Sequence, residues 1–124
     1  MHLSVVQINN LITGNRLAAE LPASAPTLRR FVDVSGYVYN EQGVCRRLSR
    51  TISQDKRETA MFQIRDYEIP AVYIENGWDV AEDECVNYRC KDEIIGISGA
   101  EQELLEHLSD LSLLVLEWKT DSPL

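Results

Sequence analysis

Three cysteines, two histidines and a few runs of carboxylates are the side chains in this sequence that could carry chemistry. Cys85 and Cys90 stand five positions apart, with His107 further along. A metal site built on them meets a geometric obstacle. Positions five apart face opposite sides of a strand, and on a helix they lie about 140° apart around the axis. Zinc usually takes cysteines with two to four residues between them and a second pair to match, and the sequence has no second pair. Ordinary buried thiols are expected here, with no metal and no other cofactor.

Cys45 has Arg46, Arg47 and Arg50 beside it. Positive neighbours lower a thiol's pKa. On a strand, however, Cys45 and Arg46 point to opposite faces, and the run RRLSR has no glycine to wrap a phosphate. A strand cysteine is expected, and an enzyme of unknown type using Cys45 is the rival reading. His2 sits at a chain end, where order is usually low. His107 lies beside a leucine stripe, at the expected edge of the core. Glu82-Asp83-Glu84 and Asp92-Glu93 read as solvated charge, since acid–base catalysis needs one carboxylate placed in a different environment from its neighbour. Glycine is scarce, and neither a phosphate-binding loop, a dinucleotide fingerprint nor a nucleophile elbow is present. The expectation is a protein that binds and does not catalyse.

The elements that position these residues come from periodicity. The stretch GISGAEQELLEHLSDLSLLVLEW, 96–118, holds the clearest helix pattern. Ser98 and Glu101 have the spacing of a capping box, with Glu101 and Glu103 in the first turn, where the helix dipole favours negative charge. Leu104, Leu108, Leu111 and Val115 make one apolar stripe, widened by Leu105. A helix over about 99–110 is predicted. Beyond Asp110 the pattern turns strand-like, so the helix either runs on to Trp118, the reading slightly favoured, or breaks and returns as a final strand.

At the other end, Ser4 and Gln7 form a second capping box, and Val5, Ile8, Leu11 and Ile12 share a helical face, which predicts a helix over 4–13. A strand LSVVQI is the alternative. A short helical turn is expected at 16–21. Two helices about Gly14 suggest a helix-turn-helix, but the second offers only Arg16 to phosphates. The segment 22–26, PASAP, is a stiff connector.

From Thr27 onward the character is β. Residues 31–39 alternate, with Val32, Val34 and Val38 one way and Asp33, Ser35, Tyr37 and Tyr39 the other, and Gly36 suggesting a bulge. A turn at 40–43 leads to a second strand over 44–52, with Val44, Leu48 and Ile52 on one face together with Arg46 and Arg50. A charged loop at 54–58 and a short strand at 61–65 come next. Asn76-Gly77, flanked by Tyr73, Ile74 and Trp78, carries the signature of a type I′ hairpin turn. Short strands are expected at 84–90 and 93–97. The fold class predicted is α+β: an antiparallel sheet of about five to six strands, a C-terminal amphipathic helix packed on it and a short N-terminal helix, in a single domain spanning 1–124.

Charge is distributed unevenly. Residues 1–65 carry a net +4 and residues 66–124 a net −12, for a total of −8. No apolar run approaches the ~20 residues needed to span a bilayer, and the N-terminus lacks the form of a signal peptide. A cytoplasmic protein without membrane contact is expected, and an odd number of cysteines fits a reducing compartment. The acidic half predicts docking on a protein with a basic surface, in the manner of an inhibitor, immunity protein, antitoxin or adaptor, with mimicry of nucleic acid as one route. The expected surface comprises Asp79, Glu82, Asp83, Glu84, Asp92 and Glu93 with the helix residues Glu103, Glu106 and Asp110. Tyr73, Trp78 and Tyr88 are the expected aromatic anchors. The first alternative is a homo-oligomeric chaperone or scaffold, a homodimer through the Leu-rich C-terminal segment, because 113–116 offers four apolar residues in succession. Nucleic-acid binding through Arg29, Arg30, Arg46, Arg47, Arg50, Lys56, Arg57 and Arg65, with Tyr37 and Tyr39 for stacking, is the other alternative. The −12 half argues against it, and internal pairing of the basic strands with the acidic segments would explain the same charges.

Overall fold

The computed structural model describes residues 1–39, 42–49 and 60–124. Helix α1, Val5–Ile12, starts where the sequence places it. The Ser4 hydroxyl accepts from the Gln7 backbone N–H at 3.1 Å, and the Gln7 side-chain amide oxygen accepts from the Ser4 N–H at 2.9 Å. The Gln7 amide nitrogen then donates to the Leu111 and Leu114 carbonyls, both at 2.9 Å, which fastens the helix to the far end of the chain. Gly14, at φ +97°, turns the chain out of α1; a Cβ there would lie 2.2 Å from the Leu48 carbonyl oxygen. The chain then enters strand β1, Leu17–Leu21, in place of the helical turn expected over 16–21. Leu17, Ala18 and Ala19 are buried between two strand neighbours, so sheet pairing overrides their helix propensity.

The remaining strands are β2, Leu28–Tyr39, β3, Cys45–Arg47, β4, Met61–Pro70, β5, Val86–Ile95, and β6, Val115–Leu116. They form one six-stranded antiparallel sheet in the order β5-β4-β2-β1-β6, with β3 paired to the end of β2. The expected hairpin of 31–39 with 44–52 is present as β2 and β3, although part of its turn and the charged loop at 54–58 lie outside the described residues. Strand β4 extends well past Arg65, to Pro70. The two short strands expected at 84–90 and 93–97 are one strand, β5, which bends at positive φ on Asn87 and Glu93 and shifts register against β4. Gly36 is no bulge. It pairs regularly with Phe62, and its missing side chain makes room: a Cβ would meet Leu48 at 2.5 Å and Phe62 at 2.9 Å.

The Asn76-Gly77 hairpin is also corrected. Residues Ala71–Glu75 form a short helix, α2, capped by those two residues. The Gly77 N–H donates to the Ile74 carbonyl and the Trp78 N–H to the Tyr73 carbonyl, which is the Schellman pattern. Gly77 supplies φ +63°, as it would in a I′ turn, so the dipeptide signal is real and its context decides the structure.

Helix α3, Gly96–Leu104, likewise departs from expectation. It begins at Gly96, φ +76°, directly from β5, with Ile95 at the N-cap and no side-chain cap. Glu101 does not reach back to Ser98. It is buried and accepts from the Leu3 N–H at 2.6 Å, with His2 Nδ1 at 3.2 Å. Glu101 and Glu103 therefore stand in the second turn. The helix stops at Leu104 and does not continue to Trp118. The Asp110 carboxylate accepts from the Ser112 N–H at 2.9 Å, starting a 3-10 turn at Leu111–Leu113, and β6 then pairs with β1. This is the break and return as a final strand, so five strands precede α3 and one comes after it.

Helices α1 and α3 cover one face of the sheet. Leu11, Leu17, Val32, Val34, Phe62, Ile64, Ala100, Leu104 and Leu111 form the main core there. The leucines of the stripe at 104, 108 and 111 are buried although only the first lies in the helix; Val115 is exposed. On the opposite face Phe31, Tyr67 and Ile69 form a smaller core, closed over by Ile74, Val80, Cys85, Tyr88 and Leu124. Charge enters this second side. Arg65, only 7% exposed, forks onto Asp33, its partner in the β2–β4 register, with Nη2–Oδ2 at 2.7 Å. Burial works against the guanidinium charge, and the Asp33 carboxylate more than restores it, so Arg65 is held more firmly protonated than usual. No helix among the described residues is long and apolar enough to cross a membrane.

Removing one member of a buried pair strands the other. Asp33→Ala is expected to cost about 3–5 kcal/mol, and Asp33→Leu with Arg65→Met to recover most of that loss. Urea denaturation midpoints of the three proteins check both statements.

Candidate functional site

Adjacent residues on a strand face opposite ways, and β4 uses this with Arg65 and Asp66. Asp66 points to the helix side, past the end of the apolar core. Its carboxylate accepts from Arg30 Nε at 2.9 Å and Nη2 at 2.6 Å, from Arg89 Nη2 at 2.6 Å, and lies 2.8 Å from His107 Nδ1. The other ring nitrogen of His107 faces Glu103 at 3.4 Å, and Glu103 also pairs with Lys91. Two places along, Glu68 accepts from the Ser24 N–H at 2.7 Å and from the Asn87 amide at 2.7 Å. Asp66 and Glu68 floor an open hollow of about 530 Å³. Burial pushes the Asp66 carboxyl up, but hydrogen bonds from Arg30 and His107 and the charges of Arg30 and Arg89 outweigh it, and its pKa falls below the usual value. Hydrogen bonds from the Ser24 backbone and Asn87 lower that of Glu68. Every carboxylate in this knot is matched by donors, so it joins the connector 22–26, β5 and the end of α3 to the sheet.

The acidic and aromatic residues expected to bind a partner do not form one surface. Tyr73, Trp78, Asp79, Glu82, Asp83 and Glu84 gather on the side of the smaller core. Ile74 and Val80 anchor this stretch in that core. Trp78 is held against Tyr73, ring centroids 5.4 Å apart, by the backbone cap that ends α2, and it remains 53% exposed. Val72 beside it is exposed. Glu82–Glu84 is a 3-10 turn with all three side chains at the surface. Glu84 accepts from the Ala81 N–H at 3.3 Å, and Glu82 lies 3.5 Å from Arg65. Asp79 and Asp83 are exposed and have no ion-pair partner among the described residues.

The other expected residues lie elsewhere or are engaged. Tyr88 is half-buried over Tyr67 and belongs to the smaller core, where burial raises its pKa. Asp92 accepts from the Tyr37 hydroxyl and the Glu93 N–H, and Glu93 sits at a strand bend. Glu103 and Asp110 are used internally, by His107 and by the Ser112 N–H, and Glu106 is exposed beyond α3 on the helix side of the sheet. The expected buried thiols are corrected, since Cys90 is exposed and Cys85 is half-buried, while Cys45 is the expected strand cysteine, on β3 and exposed. Partial burial pushes the Cys85 and Cys90 thiols up. Among the described residues, no group of three or more His, Cys, Asp and Glu side chains is placed to hold a metal ion. Of the basic patch, Arg29 is paired to Glu20 and Asp121, Arg30 to Asp66 and Arg65 to Asp33. Internal pairing of basic strands with acidic segments is therefore what these three do, while Arg50, Lys56 and Arg57 lie outside the described residues.

Sequence reasoning passes over Asp66 and Glu68 and does not foresee the burial of Asp33 and Glu101. The signal for Asp66 and Glu68 is the phase of β4, where both share the inward phase of Phe62 and Ile64. Comparison with protein families, with curated proteins and with solved structures returns no match for this chain.

Because Asp66 and Glu68 are held below the ordinary carboxyl values of 3.8 and 4.5, they add stability that is full above that range and is lost as pH falls through their lowered values. Asp66→Asn is expected to lower stability near neutral pH by about 3 kcal/mol, within the range for broken charged networks. Asp66→Asn with Glu68→Gln should also flatten the fall in stability below about pH 4. Urea midpoints across a pH series test the sign.

Proposed function

We propose that this protein is a small acidic protein-binding module of the inhibitor, immunity, antitoxin or adaptor kind, which docks on a basic partner through the ridge formed by α2 and the Glu82–Glu84 turn. The observation that carries this reading is Trp78, packed against Tyr73, half-exposed, and followed along the chain by the exposed carboxylates Asp79, Glu82, Asp83 and Glu84. An ordered aromatic buries large area at little entropic cost, and tryptophan and tyrosine are the commonest interface anchors. Asp79, Glu82 and Asp83 around it supply a one-sided field that speeds encounter with a basic surface and repels acidic ones. The same carboxylates suit a site that otherwise takes phosphates, so mimicry of nucleic acid is one form of this proposal. Glu103, Glu106 and Asp110 are left out of it, because Glu82 reaches Arg65 on one side of the sheet while Glu103 reaches the Asp66 knot on the other.

A second reading, self-association as a scaffold or chaperone, draws support from Leu113 and Val115, which are exposed at 45% and 40% beside the two-residue edge strand β6. Sedimentation that finds only monomer at high micromolar concentration removes it.

The main proposal is tested by capturing the partner from native cells with the wild-type protein and then titrating it with variants. Glu82→Lys, Asp83→Lys and Glu84→Lys together are expected to abolish binding, and Trp78→Ala to weaken it by about 2 kcal/mol. Wild-type affinity should fall as salt rises. These side chains are at the surface, so thermal midpoints serve as the folding control. Unchanged affinity in both variants overturns the proposal.

A further inference from the structure

Among the described residues, the sheet face opposite α1 and α3 is closed at one end only. Phe31, Tyr67, Ile69 and the segments packed on them fill that end. At the other end two hollows of about 250 and 290 Å³ adjoin, sharing Arg16 and Arg47 as a common wall. The register places these groups together: Tyr37 pairs with Arg47 and Tyr39 with Cys45, and Arg16 precedes Leu17, which pairs with Val34. Together the hollows reach the size range of small-molecule sites, ~300–1,000 Å³.

The arginines here differ from those of β2 and β4. Arg29, Arg30 and Arg65 each fork onto a carboxylate. Arg47 is exposed and makes no ion pair among the described residues. Arg16 donates through Nη1 to the Leu124 carbonyl at 2.8 Å and lies 3.3 Å from Glu117, while its Nε is the one buried side-chain nitrogen or oxygen among the described residues without a hydrogen-bond partner. Aromatic surface flanks the arginines on both sides. Tyr37 and Tyr39 meet edge to face at 5.7 Å, and Trp118 is 75% exposed on the opposite lip, with Lys119 5.4 Å from its ring centre.

The geometry points to a binding site for a small phosphorylated ligand with a flat ring, a mononucleotide in chemical class, its phosphate on Arg47 and Arg16 and its ring against Tyr39 or Trp118. A guanidinium fork matches phosphate oxygens in pairs, and an aromatic face stacks any base. The acidic groups present limit the ligand's charge and do not forbid it. Glu117 is opposed by Arg16, while Asp92 lines the first hollow with its charge intact, because the Tyr37 hydroxyl from which it accepts is neutral; among the described residues, Arg47 and Lys119 supply the attraction for phosphate against it. A nucleic-acid strand fits poorly, since it needs a basic stripe and the chain carries a net charge of −8.

Calorimetric titration of the full chain with AMP, adenosine, inorganic phosphate and a single-stranded oligonucleotide tests this. AMP is expected to saturate with a dissociation constant below about 1 mM, and adenosine to bind at least tenfold more weakly. Arg47→Glu should weaken AMP at least tenfold and Tyr39→Ala severalfold, with thermal midpoints kept. Reversing Glu82, Asp83 and Glu84 should leave AMP affinity unchanged, which separates this site from the partner-binding ridge. Bound AMP should also slow alkylation of Cys45, which lines the hollow, and leave Cys90 as reactive as before. The proposal is overturned if AMP fails to saturate at about 10 mM, if Arg47→Glu binds it like wild type, if adenosine binds as tightly, or if only the oligonucleotide binds.

Discussion

Two neighbours on one strand, Arg65 and Asp66, carry opposite charges into opposite sides of the same sheet, and much of the molecule is arranged to neutralise them. Withdrawing an ion from water costs several kcal/mol even after relaxation, so each needs close partners. Arg65 finds Asp33 directly across the β2–β4 ladder, then the Leu124 carbonyl and Glu82. Asp66 finds Arg30 on β2, Arg89 on β5 and His107 beyond α3. These contacts tie together the strands, the end of α3, the acidic turn and the C-terminal segment. A buried ion pair is weak evidence for net stability. What it specifies here is register: a slip of one residue would send Arg65 and Asp66 to each other's side, away from every partner they have.

That constraint also explains which parts of the fold were legible in the sequence. Ser4 with Gln7 was readable because both halves of the box act within four residues of one another. The strands of the central hairpin were readable because alternation reports burial on one face. Asn76-Gly77 and Ser98 with Glu101 misled for a common reason. Each is a local signal with two structural uses, and a distant contact chose between them. Ile74 and Val80 bind α2 to the smaller core, so the glycine caps a helix. Leu3 claims the Glu101 carboxylate from nearly a hundred residues away, so α3 starts earlier, from the turn at Gly96. The strand character of residues 17–21 and 115–116 is not legible locally, because it comes from pairing with each other and with β2.

The surface proved less legible than the fold. A count of charges along the chain treats 66–124 as one acidic body, but the sheet divides it. Asp66, Glu68 and Glu101 turn inward, Glu103 and Asp110 are taken up by local contacts, and Asp92 serves Tyr37. The basic half is consumed in the same way, since Arg29, Arg30 and Arg65 each meet a carboxylate. Formal charge by segment therefore overstates both fields, and the pairing between segments is a long-range property that spacing does not reveal.

What survives the pairing is a smaller and more directional distribution. On the side of the sheet opposite the long helices, Asp79, Asp83 and Glu84 remain at one end, with Glu82 only loosely held by Arg65. Among the described residues, Arg47 and Lys119 remain at the other, with Asp92 beside Arg47. The ends are separated by the neutral Asp33–Arg65 pair at the strand centre, a separation that keeps opposite surface charges from cancelling at close range. An acidic ridge bearing an ordered tryptophan and a basic hollow bearing two tyrosines are thus consequences of one arrangement. The charges of β2 and β4 that face inward find partners, and exposed charges of the flanking segments are left at the two ends of the face.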